Sequence, residues 1–190
     1  CVIPARGGSV GIRDKNLKEV GGTSLVGRTI KVANESGLFD YIHVSTDSIR
    51  IQEEALKNGA SCRFLRPDSI SGPLSGTKEA IRHAINELEE QGLAFSQVYE
   101  LQPTYTFRRP ETIRMAERLL QTKDSVVTVR KIEDTGHPEY ACSVDDEQNL
   151  VYGRKMPDNF ARQHLSEQYA TIGLVTVSYT HLTLPTILLV

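Results

Sequence analysis

The stretch "IPARGGSVGIRDKNLK", residues 3 to 18, decides how this chain is read. A short apolar run ends at Pro4 and passes into Arg6, Gly7, Gly8 and Ser9, with Lys15, Asn16 and Lys18 close behind. Glycine lets a backbone approach a ligand closely and adopt positive φ, so a Gly-rich turn after a strand offers its amides to an anion. Arg6, Arg13, Lys15 and Lys18 against the single acid Asp14 leave the loop with a surplus of three positive charges. Arg supplies a planar fork and Lys a mobile point charge. Charge-assisted hydrogen bonds contribute about 1.5–3 kcal/mol each, so the Gly7, Gly8 and Ser9 amides with Arg6 and Lys15 can hold a triphosphate. A Gly-rich turn carrying solvated basic residues is the other reading of the same stretch.

Outward from this loop the pattern alternates strand and helix. Strands are predicted at "CVIP", "YIHVST", "CRFL", "QVYELQ" and "SVVTV". Between them, apolar residues recur with a 3.6 period at Leu25, Val26, Thr29, Ile30 and Ala33, and again at Ala80, Ile81, Ala84, Ile85 and Leu88. Thr23 and Asp47 stand where they can cap helices, Gly37, Gly59 and Gly92 where they can end them, and Pro110 opens a further helix. Helices of this length between strands imply βαβ units and a mostly parallel sheet, an α/β fold of Rossmann-like, three-layer type. In such sheets ligands bind beyond the carboxyl ends of the strands. The chemistry-bearing loops, "STDS", "RPDSISGP" and "LQPTYTFR", all follow predicted strands.

From about Lys131 the grammar changes. "YACSV", "DDEQ" and "NLVY" read as a hairpin, and "ATIGLVTV" as a return to a core strand. Residues 131 to 169 are therefore expected to protrude from a domain covering residues 1 to 177. The stretch "LVTVSYTHLTLPTILLV" carries no charged residue and is interrupted by Pro185. Residues 178 to 190 read as a non-native tail, and the absence of an initial Met points to missing native termini.

With 190 residues the chain suffices for one domain, and its net charge of −2 gives no reason to expect a nucleic-acid partner. No run is long and apolar enough to span a membrane. Cys1, Cys62 and Cys142 have neither disulfide nor zinc-ligand spacing, and His43, His83, His137 and His164 have no metal-ligand spacing. Free cysteines of this kind fit a reducing, cytoplasmic setting. The dinucleotide fingerprint G-x-G-x-x-G is absent from the opening loop. "GTSLVGRT", Gly22 to Thr29, approaches a P-loop but has Arg28 where a compact Lys charge is needed, and Leu25 and Val26 belong to a helix face.

Taken in order and spacing, "IPARGGSVGIRDKNLK", "VSTDS", Arg66–Pro67 and "LQPTYTFR" resemble the acylneuraminate cytidylyltransferases, the CMP-sialic acid synthetases and their relatives acting on other nonulosonic acids. The resemblance runs from residue 1 to about 177. It implies a cytidylyltransferase that joins CTP and an acidic nine-carbon sugar to give CMP-sugar and pyrophosphate, for cell-surface polysaccharide synthesis. It further implies Mg²⁺, a Rossmann-like domain and a homodimer formed through a protruding element. Carried over residue by residue, Arg6, Gly7, Gly8 and Ser9 would bind phosphates and Lys15 would neutralise the triphosphate. Asn16 would contact the nucleoside, Arg66 the base, and Ser75 and Thr77 the nucleotide. Gln102 would lie near the sugar, and Arg162 would serve the active site by pairing the sugar carboxylate. Other readings stay open: Arg66 as a solvated loop residue, Ser75 and Thr77 as helix caps, Asp47 as a cap or as the family's aspartate, Arg162 as a surface arginine.

The sequence also departs from the family pattern. Val10 stands where the family carries Lys, which removes one charge-assisted contact worth on the order of 2 kcal/mol unless Arg13 substitutes. "YTF" at Tyr105–Phe107 replaces a Ser-Pro-Leu type run, "SGPLSGT" lacks the family's Asp, and Ile172 replaces an Asn. The family's metal-binding aspartates lie further along, and no carboxylate follows Glu167 here. These departures predict a truncated chain with little or no activity. The alternatives are a non-catalytic nucleotide-binding protein, or a cytidylyltransferase for 3-deoxy-octulosonate, whose opening loop carries a single Gly.

Overall fold

The computed structural model describes residues 1–9, 11–132, 138, 142–152 and 166–179. The chain divides into two compact units, one made of Cys1–Thr128 with Gly173–Val190 and the other of Val129–Ile172.

The larger unit is built on a mixed sheet. Its strands are β1 (Val2–Pro4), β4 (His43–Ser45), β5 (Gln97–Glu100), β6 (Ser125–Lys131) and β9 (Tyr169–Tyr179), in the order β4-β1-β5-β9-β6. β1 runs parallel to both β4 and β5, while β9 is antiparallel to β5, with Tyr99 opposite Val177. Because side chains alternate along a strand, Ile3 and Val2 of β1 enter different cores. Ile3 packs with Val26, Ile30 and Ala33 of α1 (Leu25–Ser36), Ile51 and Ala55 of α2 (Ile49–Lys57), and Ile113, Ala116 and Leu120 of α4 (Pro110–Leu120). Val2 packs with Val98 and with Ile81 and Ala84 of α3 (Thr77–Glu90). Two helical layers with a sheet between them give the expected Rossmann-like α/β architecture.

Local chemistry explains the elements. Ser24 Oγ accepts from the Gly27 amide at 3.0 Å, so Ser24 rather than Thr23 caps α1, and Gly37 ends the helix at φ 68°. Ahead of that cap, β2 (Glu19–Val20) and β3 (Thr23–Ser24) form a small hairpin whose turn is Gly21-Gly22, both at positive φ. The "GTSLVGRT" stretch is thus a turn and a helix start. Pro110 occupies the first turn of α4, where its missing N–H costs nothing.

Two local expectations are corrected. "CRFL" forms no strand. Ser61 makes one bridge to His43, and the Cys62 carbonyl then accepts from the Gln52 side chain at 2.8 Å, so the ladder is interrupted until the Arg66 amide meets the Thr46 carbonyl. Asp47 does not cap α2. Ser48 holds the cap position without a side-chain bond, because the Asp47 carboxylate is turned to the opening loop.

In the smaller unit, β7 (Cys142–Val144) and β8 (Leu150–Tyr152) form the predicted antiparallel hairpin, Ser143 opposite Val151. Asp145 Oδ1 closes its turn by accepting from the amides of Glu147 and Asn149 at 3.0 and 2.8 Å. Lys131 pairs with Glu167 in the same unit. Arg162, Val10 and residues 180–190 of the expected tail lie outside the described residues. Ser178 and Tyr179, at the start of that tail, pair with Val98 and Gln97 of β5.

Candidate active site

From β1 the chain crosses to β4 on one side, and later reaches β5 on the other, so the strand order reverses at β1. The carboxyl ends of strands at such a reversal leave a crevice. That crevice is a cleft of about 250 Å³. The loop after β1 contributes Arg6, Ser9, Lys15 and Asn16, and the loop following β4 and α2 contributes Arg66. Ser75, Gly76 and Thr77 line it at the start of α3, and Gln102, Pro103 and Thr104 follow β5. Eight of the residues singled out from sequence thus meet in one place: Arg6, Ser9, Lys15, Asn16, Arg66, Ser75, Thr77 and Gln102. Gly7 and Gly8 lie in the same loop but do not line the cleft.

The lining carries three cations and no carboxylate. Arg6 Nη1 donates to the Gly72 carbonyl at 2.7 Å, which ties the opening loop to the loop before α3. Lys15 sits in a short 3-10 turn and forms no side-chain hydrogen bond or ion pair among the described residues. Arg66 is 7% exposed. Its Nε donates to Ser45 Oγ at 3.1 Å and its Nη2 to the Ser45 carbonyl, so it is a built-in part of the cleft wall. Burial lowers the Arg66 pKa, Asp47 opposes that, and the nearby Arg6 adds to it. Gly76, not Ser75 or Thr77, is the N-cap of α3, and no side chain caps it. The first turn of a helix has amides without intrahelical partners and the positive end of the dipole. Here that turn lines the cleft through Ser75, Gly76 and Thr77.

The opening loop differs in detail from its expected form. Neither Gly7 nor Gly8 has positive φ. The Gly7 amide donates to Asp47 Oδ1 at 2.7 Å, and the Ser9 amide to the Gly7 carbonyl at 3.0 Å. Of the three amides expected to form a nest, Gly8's alone has no hydrogen bond among the described residues. Gly7 serves close packing instead: a Cβ there would stand 2.9 Å from Ser48 Cβ at the start of α2, whereas Gly8 faces open space. Asn16 is 6% exposed, and its Nδ2 donates to the Arg6 carbonyl at 2.9 Å. It holds the loop in place as well as lining the cleft.

Three further residues shape the site from β5 onwards. Gln102 Nε2 donates to Glu100 Oε1 at 2.7 Å. Burial raises the Glu100 pKa, against the opposing Gln102 hydrogen bond and the charge of Lys78. Gly173 of β9 makes room for Gln102, since a Cβ there would lie 2.5 Å from its Cδ. Buried Arg108 binds two backbone carbonyls, with Nη2 to Gln102 at 2.8 Å and Nε to Leu174. Desolvation lowers its pKa to about 10. Sequence reading missed all three. A glycine inside a strand pattern signals a close approach, so Gly173 was findable; Glu100 and Arg108 gave no such signal.

Mg²⁺ takes oxygen ligands, mostly carboxylate and phosphate. No carboxylate lines the cleft, and among the described residues no group of three His, Cys, Asp or Glu is placed to hold a metal. Any Mg²⁺ in this cleft would therefore take its oxygen ligands from a bound triphosphate and water rather than from the lining residues.

A sequence model described as Cytidylyltransferase matches residues 1–185. This chain belongs to the cytidylyltransferase family. It is 36% identical over 152 residues to the CMP-N,N'-diacetyllegionaminic acid synthase of Legionella pneumophila, an alignment covering 80% of this chain and 65% of that protein. It is 29% identical over 182 residues to the N-acylneuraminate cytidylyltransferase of Streptococcus agalactiae, covering 94% of this chain and 42% of that one. The chain thus spans less than two thirds of the length of these relatives. Among solved structures, a CMP:2-keto-3-deoxy-manno-octonic acid synthetase complexed with CTP superposes with a TM-score of 0.68 at 15% identity, covering 94% of this chain and 72% of that one. At that identity the likeness is one of fold.

Proposed function

We propose that this cytidylyltransferase binds CTP in the cleft at the sheet reversal and transfers CMP to an acidic nine-carbon sugar, releasing pyrophosphate. The observation that carries the reading is the cleft's charge: Arg6, Lys15 and Arg66 with the first turn of α3, and no acid among the lining residues. The printed activities of the relatives, on legionaminic acid and on an acylneuraminate, support the sugar class.

In the proposed step the anomeric hydroxyl of the sugar attacks the α-phosphorus of CTP. The new sugar–phosphate bond forms as the bond from the α-phosphorus to the bridging oxygen breaks; pyrophosphate leaves with that electron pair, and the hydroxyl proton passes to water. Such transfer asks a protein mainly for positioning and for neutralisation of charge on the leaving group. Lys15 and Arg6 meet the β- and γ-phosphates, aided by the α3 N-terminus. Arg66, fixed on Ser45, meets the nucleoside end, and Asn16 keeps the loop in its bound form. Gln102 faces the sugar. Arg162 as partner of the sugar carboxylate, Mg²⁺ with the triphosphate, a homodimer formed through residues 131 to 169, and a cytoplasmic setting complete the proposal.

Pyrophosphate release by the full chain, measured with CTP, UTP and ATP against a panel of sialic, legionaminic and pseudaminic acids, tests it. CTP with one of these acids is expected to release pyrophosphate, slowly because no carboxylate follows Glu167 to hold a metal, and Lys15→Ala to reduce that rate by about tenfold to a hundredfold, the worth of one charge-assisted contact. Release that ignores the identity of the base, or none with any acid sugar, overturns the proposal.

A further inference from the structure

Gln102 is held in one orientation by two neighbours that belong to neither the nucleotide loop nor the cleft lining. Its Nε2 donates to Glu100 Oε1 at 2.7 Å. Its amide plane also lies against the bare α-carbon of Gly173, where an added Cβ would meet Cδ, Oε1 and Nε2 at 2.5, 2.6 and 2.8 Å. An ionised carboxylate accepts hydrogen bonds and donates none. Facing Glu100, the amide must therefore present its nitrogen, and Oε1 becomes the atom left for a ligand. Without Glu100 either end of the amide could face the cleft, since the two ends differ little in shape.

We infer that Glu100 is a positioning residue that makes Gln102 present a hydrogen-bond acceptor to the cleft, so that the site selects a substrate donor there, a sugar hydroxyl or acylamino N–H, and disfavours a carboxylate or phosphate oxygen. This rests on the proposed function for the identity of the substrate. It divides the labour in the cleft. The cations of the opening loop and Arg66 take the anionic groups, and the Glu100–Gln102 pair reads a neutral donor at the β5 end. The half-buried carboxyl of Glu100 is costly to desolvate, which favours a role beyond packing.

The test uses the full chain with Glu100→Leu, Glu100→Gln and Gln102→Leu. Leu removes the acceptor at position 100, and Gln keeps one but adds a donor, so it no longer dictates which end of the Gln102 amide faces it. Protein labelled with ¹⁵N-glutamine reports the Gln102 side-chain amide directly, assigned by its loss in Gln102→Leu. Calorimetry then reads CTP affinity, and the affinity for N-acetylneuraminic and N,N'-diacetyllegionaminic acids in the presence of CTP. The Gln102 amide resonances are expected to move in Glu100→Leu and to return only part-way in Glu100→Gln. Acid-sugar affinity should fall about tenfold in Glu100→Leu and in Gln102→Leu, and by an intermediate factor in Glu100→Gln. CTP affinity and melting temperature should stay within about twofold and about 2 °C of wild type in all three. An unmoved Gln102 resonance, unchanged sugar affinity in Glu100→Leu, or an equal loss for CTP and sugar overturns the inference. A wild type that binds CTP and no acid sugar also overturns it while leaving the nucleotide site standing. A wild type that fails to bind CTP overturns the proposed function, and the glutamine resonances still decide whether Glu100 orients Gln102.

Discussion

His43 opens β4 and is 0% exposed, its ring 4.8 Å from that of Phe64, and neither ring nitrogen has a hydrogen-bond partner among the described residues. Burial, reinforced by the positive charges of the Cys1 amino group, His83 and Arg63, lowers its pKa from 6.5 to about 4. The sign follows directly. The unfolded chain takes up the proton first, so His43 costs nothing above its unfolded value, and stability is lost as pH falls from there towards the folded value. A gap of this size amounts to about 3 kcal/mol in full, of which about 2 kcal/mol is already lost at about pH 5. Urea unfolding of wild type and His43→Leu at about pH 7.5 and about pH 5 measures it. Wild type is expected to lose about 2 kcal/mol more than the variant between the two conditions. Equal losses would refute the account of a neutral, desolvated histidine inside the sheet.

Other residues make sharper local tests. Gly7→Ala forces a Cβ against Ser48, so we expect a loss of about 1–3 kcal/mol in urea unfolding, as for overpacking generally, and weaker CTP binding by calorimetry. Gly8→Ala meets nothing within 4 Å and should leave stability within about 0.5 kcal/mol of wild type in the same assay. Gly173→Ala displaces the flexible Gln102 side chain rather than backbone. It should reduce acid-sugar affinity by up to about tenfold, the worth of one hydrogen bond between neutral groups, with CTP affinity unchanged. Arg66→Lys cannot reproduce the fork on Ser45 and should lower both CTP affinity and melting temperature, read by calorimetry and thermal denaturation.

The layered fold was legible because its signals are local. Helix periodicity at Val26, Ile30 and Ala33, Gly37 at a helix end and Pro110 at a helix start each report a backbone requirement at their own positions. The cleft was legible for a related reason: its loops follow strands, and cations with glycine at such places answer one chemical need. What escaped was set by contacts between distant segments. The "CRFL" run has strand composition, but the Gln52 side chain takes the Cys62 carbonyl and breaks the ladder. The Gly7 amide looked free for phosphate until Asp47, forty residues away, was seen to occupy it. Arg108 stands among other loop residues in sequence, and only the return of β9 beside β5 gives it the Leu174 carbonyl to hold. Ser24 rather than Thr23 caps α1 because the Gly21-Gly22 hairpin shifts the entry by one residue.

The central claim is that the cleft between the opening loop and the start of α3 receives the triphosphate. Backbone amide NMR of the full chain during titration with CTP tests it most directly. The account predicts saturable shifts concentrated at Ser9, Lys15, Gly76, Thr77 and Lys78, abolished or weakened in Lys15→Ala. Shifts gathered instead at the second cleft between Leu17, Ser24, Glu53 and Glu54, or no saturable shift at all, would contradict it.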